Sequence, residues 1–139
     1  MSILILILTL IVSVFSDNYI YIEANYMYSS QYYKIIYYLW SGFPSSIYFN
    51  SYSISEEESD YGNYKKENYY LMIKPKYSGG GNSITLHFSS TIYDADSMFK
   101  NCNVIRSISF NNLDMTEIKY MTNMFEASSS LEYIWFKSC

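Results

Sequence analysis

One histidine, two cysteines and a run of acids are the residues of this chain whose chemistry invites a test. His87 stands alone, so neither a multi-histidine zinc site nor a His-Glu-x-x-His helix can be assembled. Pairing it with Cys102 would give a thiol–imidazole dyad, but neither residue lies in a nucleophile motif and Cys102 falls at a recurring structural position. A packing role for Cys102 is expected. Glu56-Glu57-Glu58-Ser59-Asp60 offers oxygen ligands to a hard cation without the D-x-[DN]-x-[DN]-G spacing that folds a loop around calcium. That run reads as a solvated loop. Ser78-Gly79-Gly80-Gly81-Asn82 has no following G-K-[ST], and the next segment, Ile-Thr-Leu-His-Phe, alternates like a strand, so a hairpin turn is expected rather than a phosphate loop. No metal, cofactor or catalytic group is expected, which leaves the surface as the place where function would reside.

The elements that carry this surface must fit into 139 residues and 16.4 kDa, enough for one ordinary domain with a short appendage. Lys and Arg number 9 against 13 Asp and Glu, giving a net charge of -4 and a pI near 4.8, the wrong sign for a phosphate-binding surface. Nucleic acid is not an expected partner. Half the residues are hydrophobic and 20% are aromatic, which is too apolar for a disordered chain. The 18 tyrosines fit a biased source genome as well as a binding surface, so their number alone carries no argument.

Ile3 to Phe15 form an uninterrupted apolar run without charge, followed by Asp17-Asn18. It is too short for a bilayer span, which takes about 20 residues, and suits a secretory h-region of about 7 to 15. Val14 and Ser16 stand where a signal peptidase prefers small residues, so residues 1–16 read as a signal peptide and the protein as secreted or displayed at the cell surface. An uncleaved signal anchor would be the one route to a membrane. A buried strand of a cytosolic protein is the alternative, because no Lys or Arg precedes the run.

Residues 17–82 read as a Tyr-rich, β-rich region. Ile20 to Tyr28 and Tyr32 to Trp40 are strand candidates, although Tyr33, Ile36, Tyr37 and Trp40 also fit a helical stripe. Ile47 to Ile54 alternates as one further strand, and Tyr69 to Lys74 as another that stops at Pro75.

Residues 83–139 carry an internal repeat. Met98-Phe99 recurs as Met124-Phe125 at an offset of 26, and Ile105, Ile108 and Phe110 fall on Leu131, Ile134 and Phe136 in the same register. Each copy spells L-x-x-L-x-L, and Leu86-x-Phe88 supplies a third, degenerate copy. A fixed period in the twenties with this spacing marks a leucine-rich solenoid, each repeat giving one short strand to a parallel sheet. The fold class expected is therefore β-rich, with a short solenoid of two to three repeats behind a small β-rich lead-in.

The stretch Met98 to Asp114, MFKNCNVIRSISFNNLD, followed by Ile118, Met121 and Met124-Phe125, resembles the BspA-like leucine-rich repeats of microbial surface proteins. The likeness covers about 40% of the chain. Phe43 to Phe88 is similar, more loosely, to the lead-in before such repeats. The second copy departs from the pattern, with Ser128 in place of Cys102, and it is incomplete at Cys139. A fragment, a truncated product or a protomer that stacks its open end on another chain would each fit, with Leu131 to Phe136 as an unprotected edge. In this register Cys102 and Cys139 lie at opposite ends of their strands, too far apart for a disulfide.

In a parallel stack the outward positions of the three strands are His87, Ser109 and Trp135, flanked by Thr85, Ser107 and Tyr133. Tyr133 and Trp135 are anchor types, large in area and small in conformational entropy. The candidate binding residues are His87, Ser107, Ser109, Tyr133 and Trp135, with a protein or glycan partner. Trp135 as a terminal cap is the competing reading. The resemblance implies attachment to a host or neighbouring cell; a structural envelope piece that self-associates through its C-terminal edge is the alternative.

Overall fold

Tyr19–Ala24 alternates without a fault: Ile20, Ile22 and Ala24 are buried, while Tyr19, Tyr21 and Glu23 point outward. This strand, β1, is the centre of the molecule. The computed structural model describes residues 18–137. The other strands are β2 (Tyr33–Tyr37), β3 (Ser46–Phe49), β4 (Tyr52–Ser53), β5 (Gly62–Glu67), β6 (Tyr70–Pro75), β7 (Asn82–His87), β8 (Ile105–Ser109) and β9 (Tyr133–Trp135). The protein is β-rich, with no helix among the described residues. Two open sheets form, one of six strands in the order β4-β3-β7-β1-β8-β9 and one of three in the order β2-β6-β5.

In the large sheet, β1 pairs antiparallel with β7 on one side and β8 on the other, and β8 pairs parallel with β9. The registers place Phe49, Ile84, Ile22, Ile108 and Ile134 in one inward row. The small sheet turns Leu71 and Ile73 into the same core, and a register shift between Lys34 and Ile36 lets the consecutive Ile35 and Ile36 both be buried. Two hydrogen bonds tie the small sheet to residues 98–100. The Tyr37 amide donates to the Met98 carbonyl at 2.7 Å, and the Tyr70 hydroxyl to the Lys100 carbonyl at 2.9 Å.

After β7 the chain makes two superimposed turns. Amides of Ala95, Ser97, Phe99 and Asn101 donate to carbonyls of Tyr120, Thr122, Met124 and Glu126 at 2.8 to 2.9 Å. Ser97 and Asn123 share a positive φ, as do Asn101 and Ala127, so both turns bend at equivalent places. The Phe99 and Phe125 rings lie parallel at 6.0 Å, and those of Phe110 and Phe136 at 5.3 Å. Ser128 donates its hydroxyl to the Phe99 carbonyl, whereas the Cys102 thiol faces the Lys100 carbonyl at 3.6 Å.

Three local expectations are corrected, and one strand is new. The 47–54 stretch is not one strand: Asn50 and Ser51 take φ of 50° and 71°, a left-handed pair that folds it into the hairpin of β3 and β4. β5 is the new strand: GNYKKE has little apolar alternation and stands as an edge strand paired with β6 through the left-handed pair Asn68-Tyr69. The triple glycine is not a hairpin. It carries the chain from one sheet to the other, with Gly79 and Met27 exchanging amide hydrogen bonds of 2.9 and 3.0 Å. Finally, β7 does not stack directly on β8, because β1 lies between them. The boundary at 82/83 thus runs through one sheet. The apolar run of residues 3–15, Cys139 and the proposed cleavage point lie outside the described residues.

Candidate binding face

The outward side of the six-stranded sheet is built by the alternate residues that the inward row leaves behind. One row across it runs Tyr48, Thr85, Tyr21, Ser109, Trp135, and the next runs Ser83, Glu23, Ser107, Tyr133. Of the residues expected to line up, Ser109 with Trp135 and Ser107 with Tyr133 are cross-strand neighbours. His87 is not with them. Its row is Ser46, His87 and Tyr19, and β1 separates it from Ser109. The expected His87-Ser109-Trp135 file is therefore corrected, for the physical reason that β1 pairs with both β7 and β8 and lies between them in the sheet.

His87 is half-buried between two rings, with centroids of Tyr19 at 5.2 Å and Tyr48 at 5.3 Å. Ser107 is only 7% exposed, and its hydroxyl donates to Glu23 Oε2 at 3.3 Å. Ser109 accepts the Asn111 amide at 3.4 Å. Tyr133 and Trp135 are 49% and 56% exposed, with their rings stacked at 6.4 Å and 17°. Arg106, the extra residue where β8 shifts register against β1, pairs with Glu132 Oε2 at 3.4 Å and lies 6.0 Å from the Tyr133 ring. Trp135 does not cover the core end: Phe136 lies over Phe110, and Trp135 belongs to the outer face.

Tyr19, Tyr21 and Tyr48 were missed from the sequence as members of this face. The signal that could have found them is the alternation Tyr19-x-Tyr21-x-Glu23 and its mate Tyr48-x between Ile47 and Phe49. Chemically the face offers aromatic area, hydroxyls and one imidazole, an arrangement for contact. Cys102 is fully buried, and desolvation pushes its thiol pKa well up, which suits a core residue and not a nucleophile. Among the described residues no group of three or more His, Cys, Asp or Glu could hold a metal ion.

No family model, no curated protein and no solved structure matches this chain. Among the described residues no helix is long and apolar enough to cross a membrane.

Proposed function

We propose that the protein is a secreted or surface-displayed interaction module of the BspA-like leucine-rich-repeat kind, and that the open face of its large sheet contacts a protein or glycan partner. The observation that carries this reading is the exposed, parallel pair Tyr133 and Trp135 at one side of that face. Holding two large rings half out of water leaves apolar area uncovered, and a partner that stacks on them recovers it. Tyr21 at 37% exposure, with Tyr48 and Tyr19, extends the aromatic floor. The parallel register of 26 between β8 and β9 supports the repeat reading, as do the paired positive-φ sites. With a net charge of -4 the reading includes no nucleic acid partner, and it assigns no catalysis. Tyr133→Ser with Trp135→Ser is the test against candidate surface proteins and glycans. Binding should be lost with thermal stability little changed; lost stability instead would make the pair structural.

A second reading is favoured by a separate observation. β9 is the outermost strand, Phe136 directly after it is 56% exposed, and Tyr120 and Met121, earlier in the chain, are 58% and 53% exposed. Such an edge can pair with another copy. Sizing across a concentration series separates the two, since self-stacking grows with concentration and ligand binding does not require it.

A further inference from the structure

Positive charge in this acidic protein is unevenly placed. Five of its nine cationic residues, Lys34, Lys65, Lys66, Lys74 and Lys76, belong to the small sheet or directly follow it. Lys34 and Lys65 flank Met72 in one row across β2, β6 and β5, and Lys74 stands two residues further along β6. All three therefore share the face opposite buried Leu71 and Ile73. Strand spacing sets Lys34 and Lys65 about 10 Å apart, with Lys74 about 7 Å along from Met72.

These ammonium groups are held rather than free. Lys34 lies over the Tyr70 ring at 4.5 Å, and Lys65 and Lys74 converge on the Tyr32 ring at 4.4 and 5.7 Å. Tyr32 is fixed in turn, its hydroxyl accepting from Asn63 at 2.8 Å. Ring contacts of this kind order a lysine without neutralising it. Lys65 has an acid partner, Glu67 at 2.8 Å. Among the described residues Lys34, Lys74 and Lys76 have no ion pair. Beside this face Lys74 and Asn63 also line a pocket of about 140 Å³, completed by Ser29, Glu58, Ser59 and Lys76. Two lysines without ion pairs, two serines, an asparagine and one glutamate give this pocket a polar lining that suits a sugar carrying hydroxyl groups and a single acid.

We propose that the pocket and the lysine face form a second binding site, distinct from the large-sheet face, for a carboxylated polysaccharide of low charge density. The pocket takes one uronic acid unit, with its carboxylate at Lys74 and Lys76, and the chain continues over Tyr32 and Lys65 towards Lys34. Sparse charge decides against nucleic acid. Duplex DNA presents a negative charge about every 1.7 Å and is met by dense cationic surfaces, whereas here the five lysines share residues 34–76 with five acids, Glu56, Glu57, Glu58, Asp60 and Glu67. Lysine suits the role, because a point charge accepts carboxylates from a flexible chain without demanding a bidentate geometry.

The experiment is equilibrium binding of polygalacturonate to the purified protein, with neutral dextran and polyuridylate as comparison polymers. Polygalacturonate should bind, dextran should not, and affinity should fall about tenfold between about 50 and 150 mM salt if three charges are neutralised. The variant Lys34→Gln/Lys65→Gln/Lys74→Gln should lose about tenfold or more at low salt, and the matching Arg variant should retain binding. If the triple variant does not fold, Lys34→Gln and Lys74→Gln singly give the same reading at smaller size. Lys119→Gln, which removes an exposed lysine outside the small sheet, should leave polygalacturonate binding unchanged. No binding, equal binding of dextran, tighter binding of polyuridylate, or an equal loss with Lys119→Gln would each overturn the proposal.

Discussion

Ile108 and Ile134 sit opposite each other on the parallel strands β8 and β9, 26 residues apart in the chain, yet they are not equivalent in energy. Ile108 is wholly buried between β1 and β9, while Ile134 lies on the outermost strand and stays half-exposed. Truncating a buried isoleucine to alanine costs about 2 to 5 kcal/mol through lost transfer energy and the cavity left behind. Ile108→Ala should fall in that range and Ile134→Ala at less than half of it. Denaturant unfolding of both variants is the check, and equal losses would mean that another surface covers β9 in solution.

Gly62 opens β5 at a φ of 136°, and a Cβ there would stand 2.6 Å from the Lys74 carbonyl oxygen. That oxygen belongs to the paired strand, so neither side can yield cheaply. Gly62→Ala should destabilise by about 2 kcal/mol or more, through the clash added to the backbone strain. Gly42 is the control. Its φ is 85° but nothing lies within 4 Å of where an added methyl group would stand, so Gly42→Ala should cost only about 1 kcal/mol. Thermal melts of the two should separate clearly; overlapping melts would show that the β5 edge gives way.

The parts of this fold that the sequence makes legible are those fixed by near neighbours. Alternation finds β1, β6, β7 and β8, and the Met-Phe recurrence finds the 26-residue register, because both depend on which side chains face the core. Pairing between distant strands leaves no such trace. Nothing in Tyr-Ile-Tyr-Ile-Glu-Ala states that it lies between β7 and β8, and that one insertion moves His87 out of line with Ser109. β5 is hidden for a different reason. An edge strand covered on one side only tolerates Lys65, Lys66 and Glu67, so its periodicity is weak. Of the candidate face, Tyr133 and Trp135 are exposed as their positions suggest, Ser107 is buried by Glu23, and the tyrosines of β1 and β3 needed the topology.

Acid should weaken the fold through two surface carboxylates. Hydrogen bonds from the Thr116 hydroxyl and amide hold Asp114 below its ordinary pKa of 3.8, and Lys65 holds Glu67 below its ordinary 4.5. In both cases the unfolded chain takes up protons first as pH falls. The stabilisation is thus complete above about pH 5 and is lost as pH drops through the folded values. Urea unfolding of the protein and of Asp114→Asn with Glu67→Gln between about pH 6 and 3 should show a shallower decline in the variant. Parallel declines would assign acid sensitivity to other carboxylates.

Cys102 gives the most local probe of the stacked turns. Its side chain is fully buried, and taking a thiolate out of water is what raises its pKa, so the reactive form is suppressed in the folded state. In a Cys139→Ser background, a thiol reagent at about pH 8 should label Cys102 only as fast as the region opens. Denaturant should make labelling immediate. The same burial fixes the sign of an alkaline effect: above the ordinary value of 9.0 the unfolded thiol loses its proton while the folded one keeps it, so stability falls as pH rises. Cys102→Ala removes that contribution and should flatten the slope just above pH 9, leaving the later decline to Tyr70, Tyr64 and Tyr38, whose pKa values burial also raises. Rapid labelling of the folded Cys139→Ser protein at pH 8 would show that the turn carrying Met98, Phe99 and Cys102 opens readily, and the stacking of Phe99 on Phe125 would then not be its stable state.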